Sequence, residues 1–235
     1  MTTPDKLAPK HIAVTLPPTS VLRQALAGAS LVIPAGSRLY RAVRHRAAVI
    51  PAYVDQTHRF GPPPVLADPD GRFSTFWLYA AADLQTALWE AGFCDNDWTQ
   101  PGTFYIPAEK ARDGLIAILT LQEDLHVLNL DGTVLGKLGI YNRIHAEHAW
   151  CQWFGLRLRA VLESFPRTEA PVGIAYPSHK HKNHVALAIQ SGDGLERFRR
   201  SVTVQVTPFA QMPEFAALRA DGNYADPLPG HFSLD

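Results

Sequence analysis

The 235 residues are 46% hydrophobic, which suffices for one large core, so the expectation is one domain with or without an extension. Lys and Arg number 22 and Asp and Glu 22, so no basic excess exists to neutralise a phosphate backbone, and nucleic acid is a poor partner. No apolar run reaches the ~18 residues of a membrane span, the N-terminus lacks a secretion-signal pattern, and two cysteines make no disulfide framework. A reduced cytoplasmic protein is the expectation, with export by a signal-free route left open.

Residues 1–16 are polar and Pro-bearing and read as loosely ordered. Thr19-Ser20 can cap a short helix over 21–27, with Gly28 near its end. Residues 1–35 thus read as an N-terminal extension, with a strand over 31–34 and a break at Gly36-Ser37. Residues 37–46 alternate apolar and basic side chains, the mark of a strand. The alternation puts Arg41 on the apolar side with Leu39 and Val43, where a cation needs an anion or a carboxylate partner. One outcome is a structural salt bridge; the other is a ligand phosphate held in the bidentate fork. Residues 51–70 read as a long loop carrying the cluster His58-Arg59-Phe60, and loops of that length inside compact chains are usually functional.

The stretch 75–93 predicts a buried strand over 76–80 running into a helix from about residue 82. Asp83 can accept a bond from a first-turn amide, and Leu84, Ala87, Leu88 and Ala91 share one helical face. Glu90 lies beside that stripe, so its carboxylate can reach a cleft edge, and Tyr79 stands at the strand's end. A partly buried Tyr and a solvated helix Glu are the plainer alternative. Strands are expected over 103–106, 115–119, 125–130, 172–176, 185–189 and 202–206, with a turn at Asp131-Gly132 and the longest helix over 146–165. The tail from Asp221 reads as loose. Clustered strands with few crossover helices give an α+β fold with a mixed, split sheet and flanking helices.

His145 and His148 share a helix, and His179, His181 and His184 cluster in the loop after the 172–176 strand. No His-Glu-x-x-His or Cys-x-x-Cys is present, so no metal is expected and the loop histidines read as solvated surface. No Gly-x-Ser-x-Gly supports a serine hydrolase, and no glycine-rich phosphate motif follows a strand.

Several short patterns occur in order: Leu39-Tyr40-Arg41, Arg59-Phe60-Gly61, Leu78-Tyr79-Ala80, Ala87-Leu88-Trp89-Glu90, Gln152, and Gly173-Ile174-Ala175-Tyr176-Pro177-Ser178. Together they resemble the RES-domain family, bacterial toxins named for an Arg, a Glu and a Ser, from about residue 36 to about 190. The chain departs from the pattern at Gly61, where the family usually has Asn, and Arg72-Phe73-Ser74 competes with Arg59-Phe60 for the same place. Arg59-Phe60 is preferred because 68–77 then fills the link to the Tyr79 strand. The resemblance implies a RES domain over 36–215, a tail over 216–235 and an ADP-ribosyltransferase-like fold. It implies NAD+ as substrate, with no separate cofactor, and cleavage by hydrolysis or phosphorolysis; transfer of ADP-ribose to a protein, or a silent binding module, are the alternatives. It further implies Glu90, Tyr79 and Ser178 as catalytic residues and Arg41, Arg59, Tyr40 and Gln152 as substrate-binding ones. An antitoxin or immunity protein is the implied partner, and a homodimer is left open.

Overall fold

The computed structural model describes residues 7–166 and 170–226, so expectations for 1–6 and 227–235 lie outside the described residues. The strands are β1 (Ser30–Ile33), β2 (Arg38–Val43), β3 (Trp77–Ala81), β4 (Asp95–Asn96), β5 (Phe104–Tyr105), β6 (Leu115–Leu121), β7 (Leu125–Asn129), β8 (Gly173–Pro177), β9 (Val185–Gln190) and β10 (Val202–Pro208). The α-helices are α1 (Lys10–Ala13), α2 (Thr19–Leu26), α3 (Leu84–Glu90), α4 (Ala108–Asp113), α5 (Gly132–Lys137), α6 (Tyr141–Ala146), α7 (His148–Leu162), α8 (Asp193–Arg200) and α9 (Pro213–Arg219).

Among the described residues one 8-stranded sheet runs in the order β1-β7-β8-β9-β3-β2-β6-β10, and β4 pairs with β5 apart from it. β7 and β8 are parallel and the other neighbours antiparallel, so the sheet is mixed. It is also split. β3 matches β9 from Trp77 to Ala81, and β2 matches β6 along its whole length, but β2 and β3 share the single pair Tyr40 and Ala81.

Successive strand residues face opposite sides, and the cores follow. On one face Leu39, Leu119, Leu78 and Leu187 meet Leu195 and Phe198 of α8, so this core spans both halves of the sheet. The other face carries two cores. Trp77, Ile174, Tyr176 and Ala188 pack under α2 and α7, while Ala42 and Ile116 pack under α3 and α9. The seam between these two helical layers lies over the split.

The mixed, split sheet agrees with the sequence reading, and several local expectations do not hold. The loose segment ending at residue 16 instead forms α1 and buries Ile12 and Leu16 in the α7 core. Trp150 Nε1 donates to Thr15 Oγ1 at 3.2 Å, and Arg157 Nη1 donates to the Leu16 and Pro17 carbonyls. The tail is tied down at its start, since Phe104 N donates to Asn223 O at 3.0 Å and Ala225 N donates to Phe104 O at 2.8 Å. Asp131 opens α5 in place of a turn, its carboxylate accepting from Val134 N at 2.9 Å. The long helix starts at His148, after a break at Glu147 that sets α6 apart.

Candidate active site

Two rigid pieces bring Glu90 and Ser178 together. Asp83 caps α3, accepting from Thr86 N at 2.8 Å, and Leu84, Ala87 and Leu88 bury the helix against the sheet. Seven residues of helix then place Glu90, half-buried, at the far end of α3. Opposite it, β8 runs out at Pro177 into a tight loop closed by Ser178 N donating to His184 O at 2.8 Å. Asn183 takes the left-handed conformation (φ 68°) that this return requires.

The loop turns its donors onto one carboxylate oxygen. Ser178 Oγ donates to Glu90 Oε1 at 2.5 Å, His179 N donates to it at 2.9 Å and Lys180 N at 3.3 Å. Ser178 Oγ in turn accepts from His181 N at 2.9 Å. Charge-assisted bonds of this kind are short and orienting. Oε1 is thereby spoken for, while Oε2 has no protein donor among the described residues.

Tyr79 stands beside this pair, on the face of β3 that carries Trp77. Its hydroxyl accepts from Phe60 N at 3.0 Å, and its ring meets His58 and Tyr176 edge-on, with centroids 5.7 and 6.5 Å apart. Burial pushes its phenol well above the ordinary 10.0, Glu90 and Cys151 adding to the rise and the Phe60 amide and Arg59 opposing it. The Tyr79 carbonyl accepts from Arg41 Nη1 at 2.6 Å, and Arg41 Nε and Nη2 donate to Ala48 O at 3.2 and 3.1 Å. Arg41 thus finds two backbone carbonyls where the sequence demanded an acid or an anion. The split leaves the Tyr79 carbonyl without a partner on β2, and the guanidinium takes the place of the missing ladder bond there, while Ala48 O comes from the short turn of helix after β2. Burial lowers Arg41 from 12.5 to about 10.

Arg59 enters from the loop before β3 and donates to Ile144 O at 3.0 Å. Its charge acts on Tyr79, Tyr176, His145 and His179, and so does that of Glu90, which places the two ions around one seam. Burial, followed by Arg59, lowers His145, His148 and His179 below the ordinary 6.5. His145 and His179 stack with centroids 5.9 Å apart. Arg72, of the competing pair, stands exposed over the Tyr53 ring instead. Gln152 is buried on α7, donating from Nε2 to Thr57 Oγ1 at 2.8 Å with His148 Nε2 at 3.1 Å. Tyr40 is not brought into this group; it packs in the core under α3, on the face of β2 opposite Arg41. Gln56, His58, Gly61, Trp77 and Tyr79 line a recess that Glu90 does not line.

Sequence reasoning missed Gly155. A Cβ there would stand 2.1 Å from Phe60 O, so glycine alone lets the Arg59-Phe60 loop rest directly on α7. A lone Gly inside an apolar helical run was the available signal, since it marks close backbone approach.

A comparison with known families matches the RES domain over residues 38–210. This chain belongs to the RES-domain family. Among solved structures, a chain of the M. tuberculosis MbcT-MbcA toxin-antitoxin complex superposes with TM-score 0.52 at 17% identity. That match covers 86% of this RES chain and 98% of the other, and at such identity it speaks to the fold. A comparison with curated proteins found no match. Among the described residues no helix of this RES protein is long and apolar enough to cross a membrane.

Proposed function

We propose that this RES protein is the toxin of a toxin-antitoxin pair and consumes NAD+ in the bacterial cytoplasm by breaking the nicotinamide N-glycosidic bond. The observation that carries the reading is the Glu90 carboxylate, held through Oε1 by Ser178 and two loop amides, with Oε2 left for a ligand. The family supports it, and the neighbour's assembly with an antitoxin supports the partner.

The chemistry asks little of the protein beyond charge and position. The C1′–N bond breaks, its electron pair goes to the pyridinium nitrogen, and nicotinamide leaves neutral, so no general acid is required. Positive charge gathers on the ribose C1′ and ring oxygen, as in glycoside cleavage. Glu90 Oε2 faces that charge and lowers its energy. Water then bonds to C1′ and releases a proton, giving ADP-ribose; phosphate in its place gives the ADP-ribosyl phosphate. Arg59 uses one of its N–H groups on Ile144 and offers the rest to the pyrophosphate, with Arg41 behind it. Tyr79 packs against the nicotinamide, Gln152 holds the Thr57 loop, and Tyr40 acts only through its packing under α3.

The test is nicotinamide release from NAD+ by purified protein, with and without phosphate and with a protein acceptor. Release with free ADP-ribose or its phosphate is expected, along with a fall of cellular NAD+ on induction that a co-expressed antitoxin prevents. Label on protein would shift the reading to ADP-ribosyl transfer, and folded protein that releases no nicotinamide would leave a binding module.

A further inference from the structure

The loop that cradles Glu90 carries, at its far end, two imidazoles that converge on a carboxylate. His181 and His184 stack with ring centroids 3.7 Å apart and planes at 13°. His184 Nδ1 lies 3.1 Å from Asp83 Oδ2, and His181 Nδ1 lies 4.0 Å from Asp83 Oδ1. One ligand atom from each of the three residues falls within 4.8 Å of the others. Two imidazoles and one carboxylate are the donors that zinc takes, at about 2.0–2.1 Å each, which sets tetrahedral ligand atoms about 3.4 Å apart. One edge of such a triangle is already short enough at 3.1 Å, and the others, at 4.0 Å and within 4.8 Å, would shorten by rotation of the imidazoles out of their stack.

We propose that Asp83, His181 and His184 form a three-ligand site for a divalent transition-metal ion of the zinc class, clipping the 178–184 loop to the start of α3. Nitrogen donors favour zinc, cobalt or nickel over magnesium or calcium. Three protein ligands leave a fourth position to water. Asp83 can ligate and still cap α3. Its oxygens accept from Thr86 N at 2.8 Å and from Thr86 Oγ1 at 2.7 Å, and a carboxylate offers about four lone-pair sites. Thr86 Oγ1, now 2.7 Å from His181 Nδ1, would give way to the ion and remain beside it. All three ligands are half-buried or exposed, so an ion can reach them. No zinc motif shows in the sequence because His184 and Asp83 are 101 residues apart.

The position gives the site a consequence. His181 N donates to Ser178 Oγ, which donates to Glu90, and the amides of His179 and Lys180 donate to the same oxygen. An ion on His181 and His184 would therefore fix the geometry of the Glu90 cradle without touching Glu90.

The experiment uses full-length protein stripped with a chelator and reads the metal, not turnover, so it stands apart from the NAD+ reading. Titration with Co2+, followed by visible absorption, and with Zn2+, followed by calorimetry, should give one ion per chain. His181→Ala and His184→Ala should each weaken binding at least ten-fold, as should Asp83→Asn, which keeps the cap. Zn2+ should slow hydrogen exchange at the amides of His179, Lys180 and His181 in wild type and not in His184→Ala. Absence of stoichiometric binding, affinity unchanged in both histidine variants, or bound ion with unaltered loop exchange would each overturn the proposal.

Discussion

Glu90→Gln is the sharpest test of the proposed chemistry, because the structure says what the change preserves. The amide oxygen of Gln can still accept from Ser178 Oγ, His179 N and Lys180 N, so the cradle and the fold should survive. What disappears is the negative charge beside the ribose. A unit charge about 4 Å from a developing cation is worth about 4 kcal/mol at an effective dielectric of about 20. NAD+ carries a positive charge on its nicotinamide before the bond breaks, so part of that attraction is already present in the ground state. The remaining part, about 3 kcal/mol, matches the ~10²–10³ in rate usually lost with one well-placed electrostatic group. The expected result is nicotinamide release slowed by about 10²–10³ at saturating NAD+, with KM raised a few-fold by the lost ground-state attraction and Tm little changed. Turnover within a few-fold of wild type, in protein that melts normally, would refute the reasoning.

Arg41→Ala strips the donors from Tyr79 O and Ala48 O, and bare carbonyls at about 1–3 kcal/mol each predict a loss of about 2–6 kcal/mol in a urea melt. NAD+ affinity of the remaining folded protein should also fall; affinity left intact would make Arg41 a sheet clamp alone. Gly155→Ala forces a Cβ to within 2.1 Å of Phe60 O, so Tm should drop by the equivalent of about 1–3 kcal/mol or more even though Ala is the better helix former. His148 Nε2 sits against the Gln152 amide donor, and a proton there would set donor against donor. Burial and Arg59 hold its folded value below the ordinary 6.5. The contribution is therefore full above about 6.5 and is lost as pH falls through the lowered value. His148→Gln should flatten the acid side of the Tm–pH curve relative to wild type, and identical slopes would contradict this.

Much of the site could be read locally. Alternation put Arg41 on the buried side of β2, and Asp83 with the Leu84/Leu88 stripe gave α3 and brought Glu90 to its end. The contact of Ser178 with Glu90 spans 88 residues, and only the family resemblance pointed to it. What stayed hidden depended on partners far along the chain. Ile12 and Leu16 look like polar-segment residues until α7 is there to cover them. In α8 only Leu195 and Phe198 are apolar anchors, set among Asp193, Glu196, Arg197, Arg199 and Arg200, so the stripe was thin. The charges still had meaning, since acids lead and bases follow along the helix dipole. Asp131 could equally open a turn or a helix, because the same side-chain bond serves both. For Arg41, no local pattern could reveal that a gap in the sheet would offer it the Tyr79 carbonyl.

That gap gives the molecule a crease. Along most of the sheet, bending would break a ladder of backbone bonds; between β2 and β3 it strains one pair and the Arg41 bond to Tyr79 O. Behind the crease, the core of Leu39, Leu78, Leu119 and Leu187 spans both halves and acts as a backing plate. In front, the apolar cores under α7 and α3 are distinct, and polar bonds join their layers instead, between Glu90 and Ser178, His179 and Lys180 and between Asp83 and His184. Any opening of that front would therefore have to stretch the bonds that hold Glu90 Oε1. The fastening across the crease is thus the same set of donors that orients the carboxylate, so the sheet's weakest seam is closed by the candidate catalytic group itself.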